Sequence, residues 1–256
     1  MTLAIIIPAY NEEALLGRCL AAVLAEVDRA GGDVEIVVVD NASTDGTRAV
    51  AERYRVRVLS EPKRGIVEAR HRGFIETSGE LVANIDADTV MPAGWISHVR
   101  DQFASHPDLV ALSGPVQFDG LPWWQQALVR AGYLFAYPFY LLVNEVLNLG
   151  SILQGGNFVF RREAWLAAGG YDRSIDFYGE DSDVARRLRN FGKVKWTFAL
   201  PMVASGRRFL EAGFARSAVR YAANFLSMTF LGRPFDRTHT DIRTARSADP
   251  DRVRRR

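Results

Sequence analysis

Short runs of apolar residues alternate with longer, helix-like segments through the first third of the chain. The runs contain no regular alternation of apolar and polar positions, which is typical of strands buried on both faces of a parallel sheet. The strands that we predict here span residues 3–7, 34–39, 56–59 and 81–85. The helices that we predict between them span 12–30, with Asn11 as N-cap, then 47–54 and 66–77. Ligands of such sheets bind at the carboxyl ends of the strands, so the loops after Ile7, Val39 and Ile85 are the expected site.

The second half of the chain has a less regular pattern. Its predicted strands span residues 110–118, 157–160 and 193–198, and its predicted helices span 122–149, 180–191 and 211–231. No internal repeat or linker separates the two halves. We therefore predict one α/β domain over residues 1–236, with a mostly parallel, Rossmann-like sheet covered by helices on both faces. The two fused halves of this domain are residues 1–118 and residues 119–236.

Charge is concentrated at the C-terminal end. Residues 237–256 contain seven Arg and three Asp, a net charge of +4, which leaves −2 for the rest of the +2 chain. The body therefore has no basic surplus for nucleic acid, and the tail is expected to be disordered. Two roles remain open for it, a solvated tail or attraction to anionic lipid. The single cysteine, Cys19, excludes an internal disulfide and fits a reducing, cytoplasmic compartment.

The loop after the first strand reads Pro8-Ala9-Tyr10-Asn11-Glu12. It lacks the Gly-x-Gly-x-x-Gly of dinucleotide-binding domains, and the chain has no Gly-x-x-x-x-Gly-Lys phosphate loop, which argues against dehydrogenases and P-loop NTPases. The ring of Tyr10, the amide of Asn11 and the carboxylate of Glu12 suit the base and ribose of a nucleoside instead. Asp40 ends the second strand, where it either accepts from ribose hydroxyls or closes an Asx turn.

Carboxylates also follow the fourth strand. Asp86 and Asp88 stand at its end, and two neighbouring carboxylates there can hold a hard divalent cation, with substrate phosphates completing the shell. A second acidic cluster, Glu180, Asp181 and Asp183, follows Gly179. Acids in the first turn of a helix commonly do no more than complement the helix dipole, so this cluster is either structural or catalytic.

The order of these motifs resembles the inverting nucleotide-sugar glycosyltransferases of family 2. The resemblance runs from Pro8-Ala9-Tyr10-Asn11-Glu12 through Val37-Val38-Val39-Asp40-Asn41 and Ile85-Asp86-Ala87-Asp88. It continues in Gly156-Asn157-Phe158, Gly169-Gly170-Tyr171-Asp172 and Gly179-Glu180-Asp181-Ser182-Asp183. It implies a GT-A fold, a divalent cation such as Mg²⁺ or Mn²⁺, a nucleoside-diphosphate sugar as donor, and a glycan or a lipid-linked acceptor. It also implies that residues 1–118 are the nucleotide-binding half and residues 119–236 the acceptor half.

The resemblance also implies roles for single residues. The donor side comprises Pro8, Tyr10, Glu12, Asp40 and Arg70, with Asp86 near the ribose. Asp88 is the implied metal ligand and Asp181 the implied general base. The implied acceptor side comprises Gly156, Asn157 and Glu180.

Two departures from the family pattern stand out. Many members have a downstream histidine that completes the metal shell, whereas this chain has Ala204-Ser205-Gly206-Arg207-Arg208 there. Arg207 and Arg208 either neutralise the donor diphosphate as fixed cations or are surface residues. No Gln-x-x-Arg-Trp follows the acidic cluster, which argues against a processive polysaccharide synthase. Two rival functions stay open, a nucleotidyltransferase and a non-catalytic nucleotide- or glycan-binding protein on the same fold.

The segment from Trp123 to Leu149 is rich in aromatic residues. Residues 134–143 contain no charge, and Pro138 at their centre argues against a straight, continuous helix. The segment is also too short to span a bilayer. Three roles remain open: core packing, self-association into a homodimer, or shallow contact with a membrane surface that presents a lipid-linked acceptor. The last would make the protein peripheral at the inner face of a membrane.

Overall fold

The computed structural model of the chain describes residues 1–142, 144, 152–173 and 179–231. The predicted disordered tail and the predicted helical residues 145–149 lie outside these ranges. The strands of the described part are β1 (Leu3–Ala9), β2 (Val34–Asp40), β3 (Arg57–Ser60), β4 (Leu81–Ile85), β5 (Thr89–Val90), β6 (Leu109–Ser113), β7 (Val116–Asp119), β8 (Asn157–Arg161), β9 (Lys193–Trp196) and β10 (Met202–Ser205). Its helices are α1 (Leu16–Ala30), α2 (Thr47–Ala51), α3 (Ile66–Ile75), α4 (Trp95–Ser105), α5 (Trp123–Leu141), α6 (Arg162–Ala167), α7 (Glu180–Leu188), α8 (Arg207–Ala212) and α9 (Phe214–Leu231).

Seven strands form the main sheet, in the order β3-β2-β1-β4-β8-β6-β9. All pairs are parallel except those of β8, which runs antiparallel between β4 and β6. The strands β1 and β4 are almost wholly buried, as their uninterrupted apolar sequences predict. The predicted α/β architecture with a mostly parallel sheet is therefore confirmed.

Helices cover both faces of this sheet and create two apolar cores. One core packs residues of α1 and α4, including Leu20 and Trp95, against the sheet. The other packs residues of α3, α6 and α7, including Val67 and Trp165, against the opposite face. Gly73 lets α3 approach β1 closely, since a Cβ there would stand 2.4 Å from Ile6 Cγ2.

A second sheet of three strands, in the order β5-β10-β7, is absent from the sequence prediction. It exists because the predicted strand 110–118 is in fact two strands, separated at Gly114 and Pro115. Gly114 packs so closely on the following chain that a Cβ would stand 2.0 Å from the Leu200 carbonyl oxygen. The chain turns there, and β7 pairs with β10 instead of continuing in the main sheet.

Two predicted helix boundaries are wrong for identifiable reasons. The helix predicted from residue 12 begins at Leu16, and Asn11 is not its N-cap, because Asn11 has a φ of 50° and accepts a hydrogen bond from the Thr44 N–H at 2.8 Å. The helix predicted over residues 211–231 is interrupted at Gly213, whose φ of 87° ends α8 before α9 begins.

Helix α5 continues through Pro138, contrary to the sequence expectation. A proline deprives the carbonyl four residues earlier of its helical donor, and this carbonyl belongs to Leu134, which is exposed. Water can therefore satisfy it, and the contact between the Tyr137 and Trp196 rings, whose centres are 5.9 Å apart, holds the helix on β9. Within the described ranges, no helix has the length and apolar character needed to cross a membrane.

Candidate active site

The carboxyl ends of β1 and β2 carry two loops that interlock. Asn41 N–H donates to the Ala9 carbonyl at 2.8 Å, which continues the pairing of the two strands. Asn11 N–H donates to Ser43 Oγ, and Glu12 N–H donates to Thr47 Oγ1 at 2.7 Å. These side-chain bonds use the backbone donors of residues 11 and 12, so the loop after β1 is held in one conformation.

Tyr10 and Asp40 lie on this platform, as predicted, and Pro8 pairs with Val39 in the strands beneath it. The Arg64 guanidinium lies 4.1 Å from the centre of the Tyr10 ring. Asp40 is buried and accepts a hydrogen bond from Ser43 N–H at 3.2 Å, so it closes the turn that was one of its two expected roles.

Asn41 fixes the neighbouring segment that carries Arg64. Its amide nitrogen donates to the carbonyls of Glu61 and Lys63, and its oxygen accepts from Gly65 N–H. Sequence reasoning missed both Asn41 and Arg64. The position of Asn41 directly after a buried strand was a usable signal, whereas nothing in the sequence marked Arg64.

A cavity of about 770 Å³ opens beside this platform, at the carboxyl end of β4. Seven of the predicted site residues line it, namely Arg70, Asp86, Asp88, Glu180, Asp181, Arg207 and Arg208. Those outside its lining are Pro8, Tyr10, Glu12, Asp40, Gly156 and Asn157. The structure therefore brings the two acidic clusters of the sequence, which stand more than ninety positions apart, to one cavity wall.

Arg70 joins these two acidic clusters. Its side chain is fully buried in α3, and it donates hydrogen bonds to Glu180 and, at 3.1 Å, to Asp86 Oδ1. Burial opposes the charge of Arg70, but the carboxylates of Glu180 and Asp86 outweigh it and raise the pKa of the guanidinium. The resemblance placed Arg70 near the nucleotide, whereas its observed contacts are with the carboxylates at the base of the cavity.

Glu180 is the more strongly perturbed of the carboxylates that Arg70 contacts. Burial raises its pKa to about 8, although the nearby Arg70 acts in the opposite direction. Its second oxygen, Oε2, is buried and has no hydrogen-bond partner in the described part of the chain. The charged form of Glu180 is therefore only partly compensated.

Asp181 is held by two backbone donors from different segments. Gly155 N–H donates to Oδ2 at 3.0 Å, and Ser182 N–H donates to Oδ1 at 2.7 Å. These bonds orient the carboxylate at the N-terminus of α7, where it lines the cavity. Burial raises its pKa in spite of them, and a higher pKa makes a carboxylate a better proton acceptor.

Asp88 faces Arg207 across the cavity mouth. Arg207 donates to Glu12 and, at 3.2 Å, to Asp88 Oδ2, so one guanidinium connects the loop after β1 with the loop after β4. Burial, and then the charge of Asp86, raise the pKa of Asp88 to about 7, while Arg207 opposes the rise. Arg207 is therefore a site residue, which was one of its two expected roles.

The neighbours Gly156 and Asn157 have different positions from those expected on the acceptor side. Gly156 has a φ of 74°, and a Cβ there would stand 2.4 Å from Asp86 Oδ2, so only glycine lets this carboxylate approach. Asn157 is fully buried, accepts from Trp95 Nε1 and donates to two main-chain carbonyls. The amide of Asn157 therefore serves the core, and its assignment to the acceptor side stays a prediction.

The wall of the cavity away from the carboxylates is apolar. Its side chains come from α5, α8 and α9, and include Leu128, Tyr133, Tyr137, Phe139, Phe209 and Phe214. Tyr133 stacks on Trp196 with ring centres 5.6 Å apart, and Tyr140 is buried where its oxygen accepts from Trp196 N–H. Tyr140 is thus core, whereas Tyr133 and Tyr137 are half-buried at the cavity, so core packing, one of the three expected roles of the segment, applies to part of α5.

The sequence profile described as Glycosyl transferase family 2 matches residues 4–166, which is more than half of the chain. This chain belongs to glycosyl transferase family 2. The match runs from β1 into α6 and covers Asp86 and Asp88, whereas Asp181 and Arg207 lie beyond it. The predicted family is confirmed, and membership argues against the rival nucleotidyltransferase.

The curated relatives of this family 2 chain are also named as glycosyltransferases. An uncharacterized glycosyltransferase of Mycobacterium bovis is 37% identical over 106 residues, which are 41% of this chain and 45% of the relative. A dolichol-phosphate mannosyltransferase of Pyrococcus furiosus is 29% identical over 162 residues, which are 60% of this chain and 40% of the relative. The aligned regions thus span less than half the length of these relatives.

Solved structures show the same fold. A mannosyltransferase from Pyrobaculum calidifontis in complex with GDP-Man and Mn²⁺ matches with a TM-score of 0.68 at 23% identity, over 90% of this chain and 63% of that one. Glucosyl-3-phosphoglycerate synthase from Mycobacterium tuberculosis, in complex with Mn²⁺, UDP and phosphoglyceric acid, matches with a TM-score of 0.61 at 23% identity, over 90% of this chain and 78% of that one. The predicted GT-A fold is confirmed.

Proposed function

We propose that this family 2 chain transfers a sugar from a nucleoside-diphosphate sugar to an acceptor hydroxyl, with inversion at the anomeric carbon. The observation that supports this most directly is the shared cavity, into which the Asp86–Asp88 pair and Asp181 both open. One pair of carboxylates suits the donor end of the reaction, and Asp181 suits the acceptor end. A non-catalytic binding protein would have no need for an oriented carboxylate at the second position.

The donor nucleoside fits the platform beside the cavity. Tyr10 offers a ring face, and Asp40 lies next to it at the end of β2. Arg64, stacked on Tyr10, brings a positive charge to the same place. We therefore assign the base and ribose to the loops after β1 and β2, with Asp86 as the nearest carboxylate from the cavity side.

A divalent cation fits the oxygen donors at the cavity mouth. Asp88, Asp86 and Glu12 bring negative charge together, and burial, followed by the charges of Asp86 and Glu12, raises the pKa of Asp88. No group of three or more acidic, His or Cys residues within the described ranges would hold a metal unaided. A shell of one or two carboxylates completed by substrate phosphates is the arrangement usual for Mg²⁺, and Mn²⁺ prefers similar oxygen ligands. When bound through Asp88, the cation would supply charge stabilisation to the departing diphosphate.

Asp181 is the proposed general base. The acceptor hydroxyl gives its proton to Asp181 while its oxygen bonds to the anomeric carbon, and the bond from that carbon to the diphosphate oxygen breaks on the opposite side. A single displacement of this kind inverts the anomeric centre, and the nucleoside diphosphate leaves with the bonding electrons. The amides of Gly155 and Ser182 fix the direction of the carboxylate throughout.

Arg207 and Arg208 are the proposed fixed cations for the leaving diphosphate. Both line the cavity, and Arg207 already contacts Asp88. Charge-assisted hydrogen bonds from guanidinium to phosphate are strong and oriented, so these residues take over part of the role that a further metal ligand has elsewhere in the family.

The apolar wall favours a lipid-linked acceptor over a soluble glycan. The cavity presents carboxylates on one side and aromatic rings of α5 and α9 on the other, so it suits a molecule with a polar head and an apolar chain. The sugar-accepting hydroxyl would then lie at Asp181, and the chain would follow the wall towards Leu128 and Phe214.

The test is a thermal-shift screen of UDP, GDP and other nucleoside diphosphates, with and without Mn²⁺ or Mg²⁺. Binding to the folded state raises the melting temperature by mass action, so the correct nucleotide gives a concentration-dependent rise that grows with the cation. Asp88→Ala should abolish the cation-dependent part, and Asp108→Ala, at an exposed position, should keep it. An unchanged cation dependence in Asp88→Ala would show the metal assignment to be wrong, and binding without turnover would favour a non-catalytic role.

A further inference from the structure

One face of α5 is exposed and apolar, and the opposite face lines the cavity and packs Tyr140 against Trp196. Leu128 and Phe139 belong to both faces, because they line the cavity and are also exposed. The exposed large side chains of α5 recur at spacings of three, four or seven positions, which places them on one stripe of the helix: Trp124, Leu128, Phe135, Phe139 and Leu142. Trp123, Leu134 and Leu141 extend the stripe to one side. Phe135 is 85% exposed and Trp123 is 81% exposed, which is far from the usual state of large aromatic residues in a folded chain.

Helix α9 extends the same apolar surface across the cavity mouth. Trp124 of α5 contacts Phe214 of α9 edge-to-face, with ring centres 6.1 Å apart. Val219 of α9 is 69% exposed, and Leu210 of the preceding α8 is also exposed. We call the surface formed by these residues and the stripe on α5 the α5–α9 face.

The charge on the two long helices of this face, α5 and α9, has one sign, while Glu211 of α8 stands at its border. Residues 120–144 and 212–231 contain no Asp or Glu, and their charged residues are Arg130, Arg216 and Arg220. Arg130 and Arg216 are exposed, and no ion pair joins either of them to another residue that the structure describes. The body of the chain carries a net negative charge, so this basic, aromatic surface is a local departure from it.

We propose that the α5–α9 face docks on an anionic lipid surface, with its aromatic side chains inserted at the headgroup level and its arginines on the lipid phosphates. Trp and Tyr favour that level, and arginine attracts anionic lipid. A second copy of the chain fits less well, because a symmetric contact would bring the arginines of α5 and α9 together, and neither helix carries an acid to pair with them. Docking there presents the cavity mouth to lipid, which goes beyond the transfer reaction itself.

The first test is flotation of the full chain with vesicles of phosphatidylcholine alone, and with vesicles containing one quarter phosphatidylglycerol, in the absence of donor. We expect flotation with the anionic vesicles and a blue shift of tryptophan emission. Three of the five tryptophans, Trp95, Trp165 and Trp196, are buried, so the shift reports on Trp123 and Trp124. Because no turnover is measured, a failure of this proposal is distinguishable from a failure of the proposed transfer.

Two variants of the face sharpen the test. Trp124→Ser with Phe135→Ser should lower vesicle affinity by about tenfold or more, because both apolar side chains leave the interface. Arg130→Gln with Arg216→Gln should lower affinity for the anionic vesicles by about tenfold, and should leave the weak binding to phosphatidylcholine unchanged. The matched control, Ile75→Ser with Leu166→Ser, removes two apolar side chains that are exposed elsewhere and should bind as the unaltered chain does.

The arginine-rich tail is tested separately, with Arg254, Arg255 and Arg256 changed to Gln. If these changes abolish flotation while the Trp124→Ser, Phe135→Ser variant binds normally, the tail is the anchor and the proposal is overturned. The proposal is equally overturned by a dimer in sedimentation equilibrium that the Phe135→Ser change dissociates, without flotation. Melting temperatures of all variants confirm folding, and the arginine variant, which alters only exposed side chains, remains informative if the apolar variant unfolds.

Discussion

The two sides of the cavity are built by different means. On the proposed donor side, side chains stand at the ends of buried strands, and neighbouring loops lock them through bonds such as Glu12 N–H to Thr47 Oγ1. On the proposed acceptor side, α5 and α9 supply a wall whose inner surface lines the cavity and whose outer surface is exposed. We infer that the two sides serve different purposes. The sheet fixes the groups that must be placed accurately, and the helices provide a surface along which an acceptor or a lipid layer can move.

The largest loss of stability is expected from a change at Arg70, where the two sides of the cavity meet. Arg70→Met removes the buried cation between Glu180 and Asp86, and breaking a buried ion pair by removing one partner costs about 3–5 kcal/mol. Urea denaturation measures the loss. Arg72→Met, two positions along the same helix, removes a half-exposed pair with Glu76 and should cost about 1 kcal/mol or less. Equal losses of unfolding free energy in the two variants would show that the contacts of Arg70 with Glu180 and Asp86 do not hold the two sides of the cavity together.

The next effect separates catalysis from binding on the acceptor side. Asp181→Asn should lower turnover by roughly a hundredfold or more, the scale expected when a general base is lost, while donor binding on the opposite side persists. Turnover and the nucleotide-induced shift in melting temperature are measured on the same preparation.

Asp183→Asn is the control for Asp181. Asp183 is buried and pairs with Arg186 and Arg187 on its own helix, so its loss should lower stability rather than turnover. If Asp181→Asn retains the turnover of the unaltered chain, the base is another residue.

A further effect is a pH dependence of the contact that Arg70 makes with Glu180 and Asp86. Burial gives Glu180 a pKa of about 8, against about 4.3 in an unfolded chain. Between these values the folded chain retains a proton that the unfolded chain has lost, so the contribution of Glu180 to stability is full below about pH 4 and declines as pH rises to 8. Glu180→Gln should remove this decline. Each kcal/mol of lost stability lowers the melting temperature by about 2–4 °C.

The measurement compares melting temperatures at pH 5, 6.5 and 8 for the unaltered chain and Glu180→Gln, without nucleotide. Parallel slopes would mean that Glu180 is ionised in the folded chain across this range. The burial of Oε2 without a hydrogen-bond partner in the described ranges is the reason to expect otherwise.

The donor side could be predicted from sequence because its signals are local. The strand predicted over residues 81–85 is the one observed, and β1 and β2 extend their predictions by two residues and one residue. A buried strand followed by polar side chains is enough to place Asp40, Asp86 and Asp88 at one edge of the sheet. Their roles in binding and catalysis remain predictions.

The rest could not be predicted because it depends on contacts between distant segments. Arg70 meets Glu180 across 110 positions, and Arg207 meets Glu12 across 195. The break at Gly114 follows from its contact with the Leu200 carbonyl, and the wrong N-cap at Asn11 follows from its bond to Thr44. Pattern and propensity carry no information about such pairs.

The position of β8 has a consequence for how the chain is made. It lies between β4 and β6 but follows both in sequence, so a growing chain that has reached Ser113 holds two strands of the main sheet whose shared neighbour does not yet exist. Ribosomes add about 5–20 residues per second, so roughly 2–10 s pass before Arg161 completes that neighbour. During this interval β4 presents an unpaired apolar edge, which is a template for association with other nascent chains. The rate at which residues 114–156 are translated sets the length of this interval. Slower or faster translation of these residues should therefore alter the yield of folded protein.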